Sequence, residues 1–222
     1  MESSHAERLF QRGEHRSLWD EMQTQAEPMS AEDKWRAARA ARFLSLESEG
    51  QEERKRWVFS ALELAQEAVA QQEYNWQAHK WLGIALNEVG QFEGTKTQLQ
   101  NAFIIKQHWE RAFELNGRRD ATTAYLLGEW CFYFANMGWV TRKLASALFA
   151  SPPSSSYEEA LQYFLLAEEL EPGFSLVNRW CIARTYRAMG NKEEFQSWLE
   201  KAKNTEVRDK DDEKAMREMQ AI

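Results

Sequence analysis

Apolar and small residues return every three or four positions through most of the chain, and no stretch alternates with a period of two. The pattern predicts helices throughout. It is clearest from Tyr157 to Ala202, where small Ala160, Ala167, Ala183 and Ala202 alternate with bulky Phe164, Tyr186, Phe195 and Leu199. Pro172 and Gly173 break one helix there, and Gly190 and Asn191 break the next. A small residue lets two helix backbones approach, and the large residue a turn away fills the groove beside them.

The same pairing recurs along the chain. Ser30 is placed to cap a helix that runs to about Glu49, with Trp35, Ala38, Ala41 and Leu44 as its stripe. The next helix spans about Glu52 to Gln72, with Trp57, Ala61, Leu64, Ala65 and Ala68 on one side. Leu82 and Gly83 then mark the first helix of a new pair. Its second helix arrives about ten residues late, at Trp109 and Ala112, which predicts a longer helix or an extra helical turn. A third pair begins near Ala121, with Gly128 as its small position. It carries a second insertion containing a short helix from Thr141 to Phe149, stopped by Pro152 and Pro153. Ser156 caps the helix from Tyr157 to Glu171, Ser175 to Ala202 forms the fourth pair, and a charged helix from Val207 to Met219 covers the open end. Helix pairs of about 34 residues are the tetratricopeptide signature. The expected fold is therefore all-α, a tetratricopeptide-like helical-hairpin superhelix (α-solenoid) with two insertions. Residues 30–220 are expected to form a single repeat domain, and 1–29 a polar, mobile head with a short helix around Glu7 to Gln23.

Composition narrows the function classes. Four prolines and ten glycines in 222 residues agree with a helical chain, and the ten tryptophans and twelve phenylalanines can fill helix gaps or line a groove. A formal charge of −7 speaks against a general nucleic-acid binder. Cys131 and Cys181 stand among aromatic residues and are expected to be buried, reduced thiols. No run approaches about 18 apolar residues, and the first thirty positions are polar, so neither a membrane span nor a signal peptide is expected. His79 and His108 keep no metal-ligand spacing with another histidine or cysteine. Glu158–Glu159 and Glu168–Glu169 are sequence neighbours that cannot face one point on a helix, and there is neither a phosphate-cradling glycine loop nor a nucleophile elbow. No enzyme, metal or cofactor is expected. Such a stack binds partners instead.

In the repeat register, the first helix of each pair lines the concave face. The positions expected to look outward there are Gln77, Lys80, Asn87, Tyr125, Glu129, Phe132, Tyr133, Trp180, Arg184 and Arg187. Trp180, Arg184 and Arg187 follow at intervals of four and three, which suggests one helix face able to hold a carboxylate or phosphate beside an apolar segment. The plainer reading is a core tryptophan with solvated arginines.

The stretches AHKWLG at 78–83, YLLGEWCF at 125–132, LFASPPSSSYEEAL at 148–161 and FLLAEELEPGFS at 164–175, with the two insertions, resemble the regulator of microtubule dynamics family. The likeness runs from about Trp35 to Arg208. It implies an all-helical repeat domain that associates with microtubules and spindle poles, and hence a place in the cytoplasm, cytoskeleton and spindle. It also implies an alternative, because a membrane-anchored member tethers mitochondria to the endoplasmic reticulum and has a repeat domain associated with phospholipid. This chain shows no anchor and no acidic two-phenylalanine motif before Trp35, so the soluble microtubule-associated members are nearer. Microtubules are acidic. Binding them calls for cations, and the candidates are Arg54, Lys55 and Arg56 at the start of a helix and Arg118 and Arg119 in a turn. Solvated helix ends have the same appearance. Residues 176–203 carry six basic residues against three acidic ones, which favours the Arg184 face.

Overall fold

The computed structural model describes residues 4–24 and 28–222, and every regular element in them is an α-helix. In order these are α1 (His5–Gln11), α2 (His15–Thr24), α3 (Ala31–Glu47), α4 (Gln51–Gln71), α5 (Trp76–Glu93) and α6 (Thr95–Leu115). They continue as α7 (Ala121–Ala135), α8 (Trp139–Leu148), α9 (Tyr157–Leu170), α10 (Leu176–Ala188), α11 (Lys192–Lys203) and α12 (Lys210–Gln220). Side-chain caps start most of them. Ser30, Asn75, Asp120, Ser156, Ser175 and Asn191 each accept a hydrogen bond from the backbone N–H three residues on. Where a single domain was expected over 30–220, the chain divides into two compact units, residues 1–115 and 116–222.

In the first unit α3, α4 and α5 pack through small layers that take one residue from each helix. Trp35 meets Ala68 and Ala78, Ala38 meets Ala65 and Leu82, and Ala41 meets Ala61 and Ala85. Alanine at these levels brings the backbones close, which is why the sequence repeats it. The late second helix is one uninterrupted α6, because no glycine or proline stops it between Thr95 and Leu115. Gly83 of α5 faces Trp109 of α6 so closely that a Cβ would lie 2.3 Å from the indole Nε1.

The polar head departs from expectation. Gly13, at φ 72°, splits the anticipated single helix into α1 and α2. Ala6, Leu9, Leu18 and Met22 are buried against Ala37 and Ala40 of α3. Four apolar residues spread over two short helices leave the segment polar on average, yet they share a side once Gly13 turns the chain. Residues 1–3 and 25–27 of the expected mobile head lie outside the described residues.

In the second unit Gly128 of α7 takes the ring of Phe164 of α9, and a Cβ there would lie 2.6 Å from it. Arg179 of α10 donates from Nε (3.0 Å) and Nη2 (2.7 Å) to Glu168 of α9 and from Nη1 (3.0 Å) to Thr205, tying α9 to the turn after α11. α12 closes a core in which its Ala215 and Met219 join Leu176, Trp180, Ala183, Phe195 and Leu199. The second insertion is α8 plus the proline loop. α8 buries only Ala145, leaving Trp139 and Val140 about seven-tenths exposed, at 68% and 72%.

Candidate binding face

The expected concave positions fall in both units. In the first, Gln77, Lys80 and Asn87 are half-buried on α5, and the Lys80 ammonium lies 4.6 Å from the centroid of the Trp76 ring. In the second, α7 and α10 bring a group together. Arg184 forms an ion pair with Glu129 and lies 4.4 Å over the ring of Phe132. Cys181, one turn before Arg184, places its Sγ 3.1 Å from the same Glu129 Oε1, so the thiol donates to the carboxylate. Phe132 also meets Tyr157 at 5.6 Å, and Tyr125 meets Phe164 at 6.1 Å. Tyr133 is half-buried with its ring edge-on to Phe134 at 5.0 Å.

Electrostatics follow from this packing. Burial disfavours the Arg184 charge, but the Glu129 carboxylate paired with it more than offsets this and holds the guanidinium firmly protonated. Burial pushes the Cys181 thiol well up, and Glu129 adds to it through its charge. Burial, with Glu129 beside it, raises the Tyr125 phenol as well, and burial raises that of Tyr133. At neutral pH the group therefore holds one ion pair surrounded by neutral thiol, phenols and rings. It can stack and donate hydrogen bonds; it supplies no nucleophile. Cys131 and Cys181 are both buried, and neither is in a disulfide.

The proposed arginine–tryptophan face does not assemble. Trp180 is only 6% exposed, belongs to the core under α12, and donates its indole N–H to Glu218 at 3.0 Å. Its outward placement is corrected because α12 supplies a covering layer. Arg187 is exposed and turns toward Phe195 of α11, at 5.7 Å. Arg184 alone points to α7, where Glu129 already occupies it. The three side chains thus go to three different helices, although they follow one another along α10.

The basic groups are surface groups. Arg54, Lys55 and Arg56 are exposed in the first turns of α4, with Arg54 5.6 Å from the Phe92 ring and Lys55 5.8 Å from that of Phe59. Arg118, at φ 62°, and Arg119 are exposed in the turn after α6. The Arg119 N–H donates to Asn116 Oδ1 at 3.1 Å.

Two arrangements escape sequence reasoning because their partners lie far apart in the chain. His79 and His108, on α5 and α6, approach to 2.8 Å through their Nδ1 atoms, and His79 Nε2 donates to the Glu73 carbonyl at 2.8 Å. That donor role leaves His79 Nδ1 as acceptor and His108 Nδ1 as donor. Burial lowers both, and with the neighbouring His79 charge it brings His108 down to about 4. The second arrangement surrounds Arg39 of α3, whose partners are Glu7 and Phe10 of α1. Arginine every third residue at Arg36, Arg39 and Arg42 is the available signal. Among the described residues no three His, Cys, Asp or Glu side chains gather to hold a metal ion, and no helix is long and apolar enough to cross a membrane.

Comparison with known proteins gives this architecture a lineage. A thermophilic tetratricopeptide protein of Thermus thermophilus superposes with a TM-score of 0.66 at 18% identity, covering 98% of this chain and 96% of the other. YrrB, described as a tetratricopeptide protein with an unusual peptide-binding site, gives 0.52 at 18% identity, covering 98% and 89%. At such identities these structures establish the fold alone, an all-α tetratricopeptide-like repeat. Closer in sequence are relatives called regulator of microtubule dynamics protein 1. The mouse protein is 41% identical over 96% of this chain and 70% of its own length, and the human protein 43% identical over 83% and 59%. Regulator of microtubule dynamics protein 3 of Xenopus laevis is 38% identical over 76% of this chain and 36% of its own. The family profile described as regulator of microtubule dynamics protein 1-3 matches residues 3–222. With its all-helical repeat fold, this chain belongs to the regulator of microtubule dynamics family.

Proposed function

We propose that this chain is a non-enzymatic adaptor that associates with microtubules or spindle proteins and acts in microtubule dynamics or chromosome segregation. Its places of action are the cytoplasm, the cytoskeleton and the spindle poles. The observation that carries the reading is the exposed cation run Arg54–Lys55–Arg56, on a chain whose family is named for microtubule dynamics. These charges stand in solvent, where they can meet an acidic polymer at little desolvation cost. Arg118 and Arg119 add a second exposed pair. The concave group on α7 and α10 contributes shape and stacking, because Glu129 already neutralises Arg184.

Cosedimentation with polymerised tubulin at low and high salt tests this. Wild type is expected to pellet at low salt and to be released as salt screens the contact. A triple Arg54→Glu, Lys55→Glu, Arg56→Glu variant of unchanged helicity is expected to lose at least ~10-fold in affinity, and Arg187→Glu to lose less. Wild type that stays in the supernatant at low salt overturns the reading. A phospholipid retained by the native protein in mass spectrometry would then favour a lipid-binding module.

A further inference from the structure

α3 carries arginines at Arg36, Arg39 and Arg42, every third residue and so along one side of the helix. The middle one is unusual. Its side chain is only 8% exposed, and its Nη2 donates to Glu7 Oε2 at 2.8 Å. The Phe10 ring lies 3.7 Å from the guanidinium carbon and that of Trp35 5.2 Å away. Arg36 is drawn to Glu32 and Asp33 at 3.0 and 3.8 Å, and Arg42 to Glu88 at 3.7 Å.

Two features of this arrangement, taken together, make its occupant displaceable. First, Arg39 is incompletely served. A guanidinium offers five donors in a planar fork, but its buried Nε has no hydrogen-bond partner, and the same is true of Arg36 Nε. Burial lowers the Arg39 pKa more than Glu7 restores it. Second, the groups that cover it come from a seven-residue helix remote in sequence, and the Glu7 side chain is still 34% exposed. A helix that short does not persist without its packing. Beyond Glu7 and Phe10 it is held by apolar Ala6 and Leu9, and to α2 by His5, whose exposed ring lies 3.3 Å from Glu21.

We propose that the arginine side of α3 is a binding site for a helical segment of a partner protein with a carboxylate and, three residues on, an aromatic ring, and that α1 is its built-in, displaceable occupant. Glu7 and Phe10 present that pair, one helical turn apart. A partner carboxylate engaging Arg39 at both Nη2 and Nε would answer the donor that Glu7 leaves unmet, so a well-shaped competitor has a margin over α1. The attachment of α1 to the same chain sets the threshold, because a tethered ligand acts at an effective concentration in the millimolar range. The site thus selects partners by acidity and ring placement and is closed to weak ones. This inference is independent of the microtubule reading.

The probe is a fluorescent peptide of residues 4–24, titrated by anisotropy into full-length wild type and into a full-length Glu7→Lys, Phe10→Ala variant that releases α1. The variant is expected to bind at least ~10-fold tighter than wild type, and adding Arg39→Gln should abolish the gain. Equal binding by both proteins, or a gain that survives Arg39→Gln, overturns the proposal. A dimer that forms by exchange of α1–α2 replaces the partner with a second copy and also overturns it. Should the variant fail to fold, hydrogen exchange on wild type decides. α1 amides exchanging at least ~10-fold faster than those of α3 support a displaceable occupant, and equal protection of the two helices refutes it.

Discussion

Arg39 and Arg184 are both arginines drawn into helix packing, one in each unit, and they are served in opposite ways. Arg184 meets Glu129 from a full-length repeat helix, rests on Phe132, and keeps its charge more firmly than a free arginine does. Arg39 meets Glu7 from a short terminal helix and holds its charge less firmly. Each leaves its Nε buried and unanswered. The difference lies in the partner. A carboxylate on a helix fixed by the repeat, like Glu129, can only leave if the unit opens, whereas Glu7 can leave with α1 alone. The same residue type is therefore a structural tie in one place and a latch in the other.

The comparison breaks first at Glu129. Glu129→Ala strands Arg184 between Phe132 and the Cys181 thiol and should destabilise the second unit by about 2 kcal/mol, less than a fully buried pair because both side chains keep some solvent contact. Urea unfolding checks this, and a loss no larger than that of Arg187→Glu would show the pair to be a surface bridge.

Acid should separate the two units next. The His79–His108 pair has folded pKa values below the ordinary 6.5, so its stabilising state is fully present above that value. It is lost as pH falls toward the His108 value of about 4, because the unfolded chain takes up protons that the folded chain refuses. Asp212 has the opposite sign. Burial raises it above 3.8 despite the Arg208 N–H that donates to it at 3.0 Å, so its contribution is full at low pH and is lost as pH rises through the folded value. Lowering the pH from 7.5 to 5.5 should cost the first unit about 1 kcal/mol. His108→Gln should remove the His108 share of that dependence and leave the part set by burial of His79. Urea melts at both pH values give the answer, and an unchanged midpoint for wild type would mean that the pair opens at no cost.

Smaller effects sharpen the latch. Glu7→Ala should cost under about 1 kcal/mol, since α1 can lift and return Arg39 to solvent, and the loss should appear in hydrogen exchange of α1 and α2 while α3 to α5 keep their protection. Smallest is Arg187→Glu, on an exposed side chain, with an expected shift within about 0.5 kcal/mol. A large loss there would assign Arg187 a packing role against Phe195.

Helix positions and their pairing are legible because they depend on local spacing. Gly83 and Trp109, Gly128 and Phe164, and the capping Ser30 and Ser156 act as their places in the pattern predict. The face of Trp180 is not legible. Seen along α10 it stands with Arg184, but α12, attached more than twenty residues later, covers it and supplies Glu218 for its N–H. The head is opaque for a related reason, since Leu9, Leu18 and Met22 become one apolar side only after Gly13 has turned the chain.

By itself, then, the amino-acid order determined an all-helical tetratricopeptide-like chain, its small and large contact positions, and its family resemblance. These follow from intrinsic propensity and from a period that places residues on one helix side. Which arginine finds a carboxylate, which tryptophan is covered, and which histidines touch was decided only by the tertiary structure. Burial and ion pairing depend on groups brought together from tens of residues apart, such as Glu7 with Arg39 and Glu129 with Arg184, and no local spacing encodes that encounter.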